Sequence, residues 1–414
     1  MAQARRSLNL DELLAAVEAA PPISAAEVVG AALTEALGAR EVSFLIADYS
    51  GQSLIRLSHV GRHVGDGGRG RERTEAVPLI GTPHGKALAE QKVEVVTEAG
   101  GTRLLAPVTS RGEAVGVLEL ELDECPDEDT VAMVARTAHA LAYIVIANRR
   151  FTDLYEWGQR SRPLALEAEI QHRLLPGSYT CEAGQFTLAG WLEPAGTVGG
   201  DTIDYALDRD CLHLSITDAV GHQVAAALLA TLLVGALRNG RRRGMDLAEQ
   251  ARYANDSLAE NAAAGQFVTG QLVRIDLHAG TATVVNAGHV LPLRLRDGRV
   301  EEVELRVEPP FGVVPGKSFE VQPFPLEPGD RIVFLTDGMQ ERNAVDLDVA
   351  KALEDTADLH PREVVHALGR AVLTETGGDL RDDATMICLD WYGGQPRART
   401  TEQGADPGIA SPPA

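Results

Sequence analysis

Aromatic residues are scarce in this 414-residue chain, at 4%, so its cores must be built from Leu, Val, Ile and Ala, and stacking platforms for single-stranded nucleic acid are disfavoured. Positive charge is also in short supply: 38 Lys and Arg stand against 60 Asp and Glu, a formal net charge of −22. A field of that sign repels nucleic acid and anionic membranes, and no helix-turn-helix pattern offsets it. The strongest basic cluster, Arg238 with Arg241-Arg242-Arg243, reads as a solvated helix end that could also meet an acidic or phosphorylated partner. The four cysteines, Cys125, Cys181, Cys211 and Cys388, show no paired or metal-type spacing and read as reduced, small apolar residues. No run of about 18 uninterrupted apolar residues is present and no signal-peptide pattern precedes the first domain, so a cytoplasmic protein is expected.

What remains is a normal hydrophobic share of 44% in a chain too long for one ordinary core. The length predicts two domains plus connectors. Residues 1–24 contain an amphipathic helix closed by Pro21-Pro22. Residues 25–150 open with a second helix, then a hairpin in which Val42–Ala47 and Leu54–Leu57 flank Tyr49-Ser50-Gly51-Gln52. A glycine- and arginine-rich loop follows from Val60 to Arg73. A second hairpin turns at Ser110-Arg111-Gly112; Leu118, Leu120 and Leu122 alternate there with Glu119 and Glu121, which predicts one buried and one wet face. A long helix then begins near Asp129. This order resembles a GAF sensor domain. Such domains bind cyclic nucleotides, haem, chromophores or small metabolites; His59, His63 and His84 are the candidate ligands, and no particular ligand is implied.

Residues 151–180 read as a helical linker. Ile144, Ala147, Phe151 and Leu154 form a narrow apolar stripe suited to a partner helix, which predicts a homodimer. Pro163 should break the connector before a helix from Leu164 to Leu175. Residues 394–414 lack apolar periodicity and are expected to be disordered.

Residues 181–393 carry the chemistry. Short strands with turn signals surround one helical block, Val224–Leu237, so apolar that it should be buried on all sides. Four aspartates sit in separate turns: Asp201 after Gly199-Gly200, Asp218 in Thr217-Asp218-Ala219-Val220-Gly221-His222, Asp337 in Thr336-Asp337-Gly338, and Asp382 in Arg381-Asp382-Asp383-Ala384-Thr385. Carboxylates delivered to strand ends from distant parts of a chain build oxygen-ligand sites for hard divalent cations. A pair of such ions can activate water and clamp a phosphoryl group. Taken singly, Asp337-Gly338 and Asp382-Asp383 are ordinary turn pairs. Their joint occurrence with the other two carries the prediction.

Gln171-His172-Arg173-Leu174-Leu175-Pro176, Gly199-Gly200-Asp201, Asp218-Ala219-Val220-Gly221-His222, Phe267-Val268-Thr269, Asn286-Ala287-Gly288-His289, Thr336-Asp337-Gly338 with Glu341, and Asp382-Asp383-Ala384-Thr385 resemble, in order, the motif set of SpoIIE-like type 2C (PPM) serine/threonine phosphatases. The resemblance implies an α+β protein: a GAF-like sensor, a helical linker and an α-β-β-α sandwich. It implies hydrolysis of phosphoserine or phosphothreonine on a signalling partner, in similar proteins an anti-anti-sigma factor, with two Mn²⁺ or Mg²⁺ ions. Asp218 would bridge both ions, Asp201 and the Ala219 carbonyl would hold one, and Asp337 and Asp382 the other; Asp383 is the alternative to Asp382. Asp204 is expected to hydrogen-bond a metal water. Asn286–His289 reads as a structural turn, and His222 and His289 are minor catalytic candidates. The sequence departs from the pattern at Thr202-Ile203, where an aromatic pair is usual, and at Gln223, where glycine commonly stands. A phosphoprotein-binding scaffold without turnover and a small-molecule sensor are the rival readings.

Overall fold

The computed structural model describes residues 8–61, 76–98, 100–160, 164–195, 199–221, 223–263, 265–340, 348–378, 380–393, 399, 401 and 404–412. The chain divides into two units, Met1–Pro163 with Thr400–Ala414, and Leu164–Arg399.

The first unit opens with helices α1 (Leu10–Ala19) and α2 (Ala25–Leu37). The Asn9 side chain accepts the Asp11 N–H at the start of α1, and Gly38 closes α2 with φ +67°, the left-handed cap that glycine adopts without strain. Strands β1 (Glu41–Ala47), β2 (Ser53–Gly61) and β3 (Ala76–Pro78), helix α3 (Pro83–Glu90), strands β4 (Glu94–Glu98), β5 (Gly101–Ser110) and β6 (Glu113–Leu122), and helices α4 (Glu128–Asn148) and α5 (Leu154–Gly158) follow. The strands form one antiparallel sheet in the order β3-β2-β1-β6-β5-β4. Both predicted hairpins are present. In the second, Arg111 and Gly112 both take positive φ, 49° and 78°, which a two-residue turn of the right twist requires.

Alternation along the strands divides the sheet's two faces. Val42, Phe44 and Ile46 of β1 with Leu118 and Leu120 of β6 pack on Val29 and Leu33 of α2 and Leu141 and Val145 of α4, each buried apolar side chain contributing roughly 1.5–3 kcal/mol. On the opposite face Leu45, Leu54, Leu105 and Val117 pack under Ala87 and Leu88 of α3. The face expected to be wet is therefore covered. Glu119 is only 5% exposed, with Arg56 Nη2 at 3.0 Å and His84 Nε2 at 2.6 Å. That bond commits His84 to Glu119 rather than to a bound group. The His59 side chain and all of His63 lie outside the described residues.

The stripe predicted to face a partner helix is split, because α4 gives way to a short 3-10 turn at Arg149–Phe151. Ile144 is buried in the core while Phe151 is 69% exposed. The C-terminal tail also departs from expectation. Gly404 accepts the Gly112 N–H at 3.2 Å, and Ala405 and Ser411 are buried; backbone contacts order a segment that has no apolar pattern of its own.

The second unit comprises α6 (Leu166–Leu174), β7 (Thr180–Glu182), β8 (Phe186–Glu193), β9 (Asp201–Leu207), β10 (Cys211–Ala219), α7 (Gln223–Arg242), α8 (Leu247–Asn261), β11 (Val268–Asp276), β12 (Ala282–Ala287), β13 (Leu293–Arg296), β14 (Arg299–Glu302), β15 (Gln322–Phe324), β16 (Arg331–Leu335), α9 (Val349–Asp355), α10 (Pro361–Glu375) and β17 (Ala384–Trp391). Its predicted strands form two antiparallel sheets, β15-β12-β11-β10-β9 and β14-β13-β16-β17-β8-β7. Their inner faces meet through Leu214, Ile216, Val273, Ile332, Phe334 and Ile387. Helices α7 and α8 cover the first sheet through Leu229, Leu233, Ala251 and Leu258. Helix α10 covers the second through Val364, Leu368 and Val372. The layers run helix, sheet, sheet, helix. The helix break expected at Pro163 lies outside the described residues.

Helix α7 is not apolar on all sides: Leu228 is 56% exposed while Leu229 and Leu233 are buried, the division of a one-sided core helix. Among the described residues, Glu128–Phe151 and Gln223–Arg242 are long and apolar enough to cross a membrane by length and composition, and half of each is buried inside the protein.

Candidate active site

The hydrogen-bond register of β9 and β10 sets Asp201 directly opposite Asp218, at the strand ends where each sheet edge begins to open. Pairing of β10 with β11 sets Val268 opposite Ala219, and Val220 donates its N–H to the Phe267 carbonyl at 3.1 Å. Gly200 is required at this corner: a Cβ there would stand 2.5 Å from the Ala219 carbonyl oxygen. From the other sheet, β16 ends at Leu335 and delivers Asp337 in a 3-10 turn, while Asp382 and Asp383 precede β17. Gly338 is equally constrained, since a Cβ would lie 2.0 Å from the Asp383 carbonyl oxygen.

The two neighbouring aspartates at β17 have different environments. The Asp383 carboxylate is buried and accepts four N–H donors: Ala195 N at 2.9 Å, Gly200 N at 2.9 Å, Asp201 N at 3.3 Å and Gln171 Nε2 at 2.7 Å. These bonds make it the internal brace of the Gly199-Gly200-Asp201 turn. Asp382 is half-buried, accepts the Asp383 N–H at 2.9 Å, and acts electrostatically on Asp218. Gln171, on α6, donates both to Asp383 and to the Asp201 carbonyl at 2.8 Å, so the helix entering this unit is bonded to the carboxylate frame. Thr336 Oγ1 donates to Asp201 Oδ2 at 2.7 Å. Gln171 and Thr336 both lie inside the recognised motifs, but only the fold shows what they touch.

Electrostatics joins the aspartates more tightly than their sequence positions suggest. Burial, together with Asp337, Asp382 and Asp383, pushes the Asp218 carboxyl up to about 7. Burial, Asp218 and Asp383 push Asp201 well above the ordinary carboxylate range. Like charges held together in a low-dielectric setting disfavour ionisation, so the site is short of positive charge. The donors on offer are carboxylate oxygens and a backbone carbonyl, the set that suits a hard divalent cation. Among the described residues no group of three or more His, Cys, Asp or Glu side chains is already placed to hold a metal ion. Water would have to complete the shell of an ion held here, which Mg²⁺ and Mn²⁺ accommodate readily.

Asp204 does not join this group. Three residues along β9 from Asp201, it points from the opposite strand face and is clamped by Arg238 (2.9 Å to Oδ1) and Arg241 (3.1 Å to Oδ2) of α7. Its expected contact with a metal water is therefore corrected: it anchors the helical layer. The same ion pairs occupy two of the four arginines of the basic cluster. Asn286 and His289 form the expected structural turn, in which His289 N donates to Asn286 Oδ1 at 2.9 Å and Asn286 Nδ2 donates to the His289 carbonyl at 3.1 Å. Nδ1 of His289 pairs with Thr269 Oγ1 at 2.9 Å, and burial lowers the ring to about 4, so it is neutral at pH 7. His222 and Glu341 lie outside the described residues. Gln223, standing where glycine is usual, takes φ +62°.

Residues 208–392 match the family model described as Stage II sporulation protein E (SpoIIE). Phosphoserine phosphatase RsbU of Bacillus subtilis (strain 168) is 23% identical over 237 residues, spanning 55% of this chain and 69% of the relative. Protein IcfG of Synechocystis sp. is 24% identical over 255 residues, spanning 53% of this chain and 40% of that protein. Among solved structures, the PP2C phosphatase domain of SpoIIE from Bacillus subtilis, with a fragment of its regulatory domain, is 16% identical with a TM-score of 0.45, covering 74% of this chain and 83% of that one. The family match covers residues 208–392, the stretch that carries Asp218, Asp337 and Asp382, and with the RsbU likeness it indicates a protein serine/threonine phosphatase.

Proposed function

We propose that the chain is a metal-dependent phosphatase that removes phosphate from phosphoserine or phosphothreonine on a signalling protein. The observation that carries this reading is the convergence of Asp201, Asp218, Asp337 and Asp382 from both sheets, with Asp218 raised to about 7 by burial and by its acidic neighbours. In this reading Asp201, Asp218, Asp337 and Asp382, with the Ala219 carbonyl, would hold two divalent ions, Mn²⁺ or Mg²⁺. The four N–H donors on Asp383 favour Asp382 rather than Asp383 as the ligand.

Bound divalent ions would supply a water of lowered pKa for in-line attack on phosphorus and would offset charge on the phosphoryl oxygens. The chain's own part is to hold the carboxylates in place. Thr336 keeps Asp201 oriented, Asp383 braces the glycine turn, and Gln171 ties α6 to both.

The substrate class follows from the curated relative named a phosphoserine phosphatase; a phosphorylated anti-anti-sigma-type protein is the proposed partner. The order helix, hairpin, short helix, hairpin, helix in the first unit supports a GAF-like sensor regulating the phosphatase, in a cytoplasmic homodimer. The test is release of phosphate from a phosphoserine peptide by the full chain with Mn²⁺, with Mg²⁺ and with chelator. Metal-dependent turnover is expected; none with either ion, and none on a phosphorylated anti-anti-sigma-type protein, would contradict the proposal.

A further inference from the structure

The C-terminal tail carries an observation that neither the phosphatase site nor its proposed regulation uses. Residues 404–412 are rich in Pro and Gly and without apolar periodicity, a composition with little apolar surface to order itself by burial. They are nonetheless seated on the first unit. The Gly404 carbonyl accepts the N–H of Gly112 at 3.2 Å, in the β5–β6 turn. Gly404 has φ +91°, and a Cβ added to it would stand 2.0 Å from the Thr109 carbonyl oxygen and 2.6 Å from His139 Nδ1.

The receiving surface is itself built. Thr109 is fully buried, and its carbonyl is paired with His139 Nδ1 of α4 at 3.0 Å, so the two groups facing Gly404 are held to each other. Beyond the contact Ala405 is 1% exposed and Ser411 5%. Between them the chain turns back on Asp406, whose Oδ1 accepts Gly408 N at 3.0 Å and whose carbonyl accepts Ile409 N at 3.2 Å. Surface loops ordered only by composition do not bury alanine and serine at both ends of such a turn.

We infer that the surface formed by Thr109, Gly112 and His139 is a glycine-selective peptide slot of the N-terminal unit, and that its occupant is this chain's own tail, residues 404–411. The selectivity is steric. Only a residue without Cβ fits against the Thr109 carbonyl, and only glycine takes φ +91° without strain. The backbone bond to Gly112 fixes the register. Because the occupant is tethered, it holds the slot at high effective concentration, and any other glycine-containing segment must displace it.

Amide hydrogen exchange on the full chain tests this, comparing the parent with Gly404→Val, Gly408→Ala and a chain ending at Arg399. The Gly112 amide should exchange about tenfold faster in Gly404→Val and in the shortened chain, the loss of one backbone hydrogen bond. Gly408, whose Cβ would meet only the Asp406 side chain at 3.2 Å, should tolerate alanine and leave Gly112 as in the parent. Equal exchange at Gly112 in all four proteins would overturn the slot, and so would an acceleration in Gly408→Ala as large as that in Gly404→Val. Exchange at β1, in the same unit, should be the same in all four, which separates loss of the tail from loss of folding.

Discussion

Two buried acidic clusters in this chain are opposite in sign of environment. In the first unit Glu119 is enclosed with Arg56 and His84: burial alone would raise it, but the hydrogen bond with His84 and the charge of Arg56 outweigh that and pull it down to about 2. In the second unit Asp218 is enclosed with anions, and burial with Asp337, Asp382 and Asp383 pushes it up to about 7. A carboxylate whose partners are built into the fold is finished when the chain folds. A carboxylate surrounded by carboxylates is finished only when a cation arrives from outside. The contrast sets the first apart as a completed internal pairing and leaves the second consistent with the proposed site, a distinction that counting acidic residues would not make.

The sharpest way to break the comparison is to neutralise one carboxylate on each side. Asp218→Asn should lower phosphatase turnover on the order of a thousandfold while making the metal-free second unit more stable at pH 8, because a repelled charge is removed. An active variant, by peptide hydrolysis, would refute the role given to Asp218.

Glu119→Gln should do the reverse: leave the second unit's metal binding intact and destabilise the first by about 3 kcal/mol, since Arg56 and His84 lose their partner. The two sites should also part on pH. Glu119 has a folded value below its ordinary 4.5, so its contribution is full above about pH 4.5 and is lost as pH falls toward 2. Asp218 is raised, so in metal-free protein its contribution is full below its ordinary 3.8 and is lost as pH rises through about 7. Site-resolved hydrogen exchange across pH 3 to 8 should show β6 gaining and β10 losing protection as pH rises.

Asp204→Asn refines the boundary of the acidic site. With both arginines on the opposite strand face, it should cost about 1–3 kcal/mol of stability with Mn²⁺ affinity unchanged; a large loss of affinity in a folded variant would return Asp204 to the site. The smallest effect is at Gln223, held at φ +62°. Gln223→Gly should stabilise the second unit by about 1 kcal/mol, read as a shift in denaturation midpoint.

Much of this contrast was legible in the sequence on one side only. Asp201 and Asp218 stand at the ends of β9 and β10, Asp337 just after β16 and Asp382 just before β17, and strand-end signals of this kind survive translation into structure because they are local. Their layered setting was expected from the resemblance to the phosphatase motif set rather than from a local signal. What failed was non-local. Glu119 alternates with leucines as a solvent-facing residue should, and nothing near it in sequence announces that α3, some thirty residues earlier, will cover it. Asp204 sits three residues from Asp201, and only strand geometry reveals that odd spacing sends it to α7. Leu228 and Leu229 look alike in a run of alanines and leucines, yet only Leu229 is buried.

The measurement that bears most directly on the contrast is calorimetric titration of Mn²⁺ into the chelator-treated full chain, run in parallel on Asp218→Asn and Glu119→Gln. Two ions should bind the parent and Glu119→Gln alike, and binding should collapse in Asp218→Asn. Binding that survives Asp218→Asn in full, or no binding to the folded parent, would contradict the claim that the carboxylates of the second unit are completed by metal.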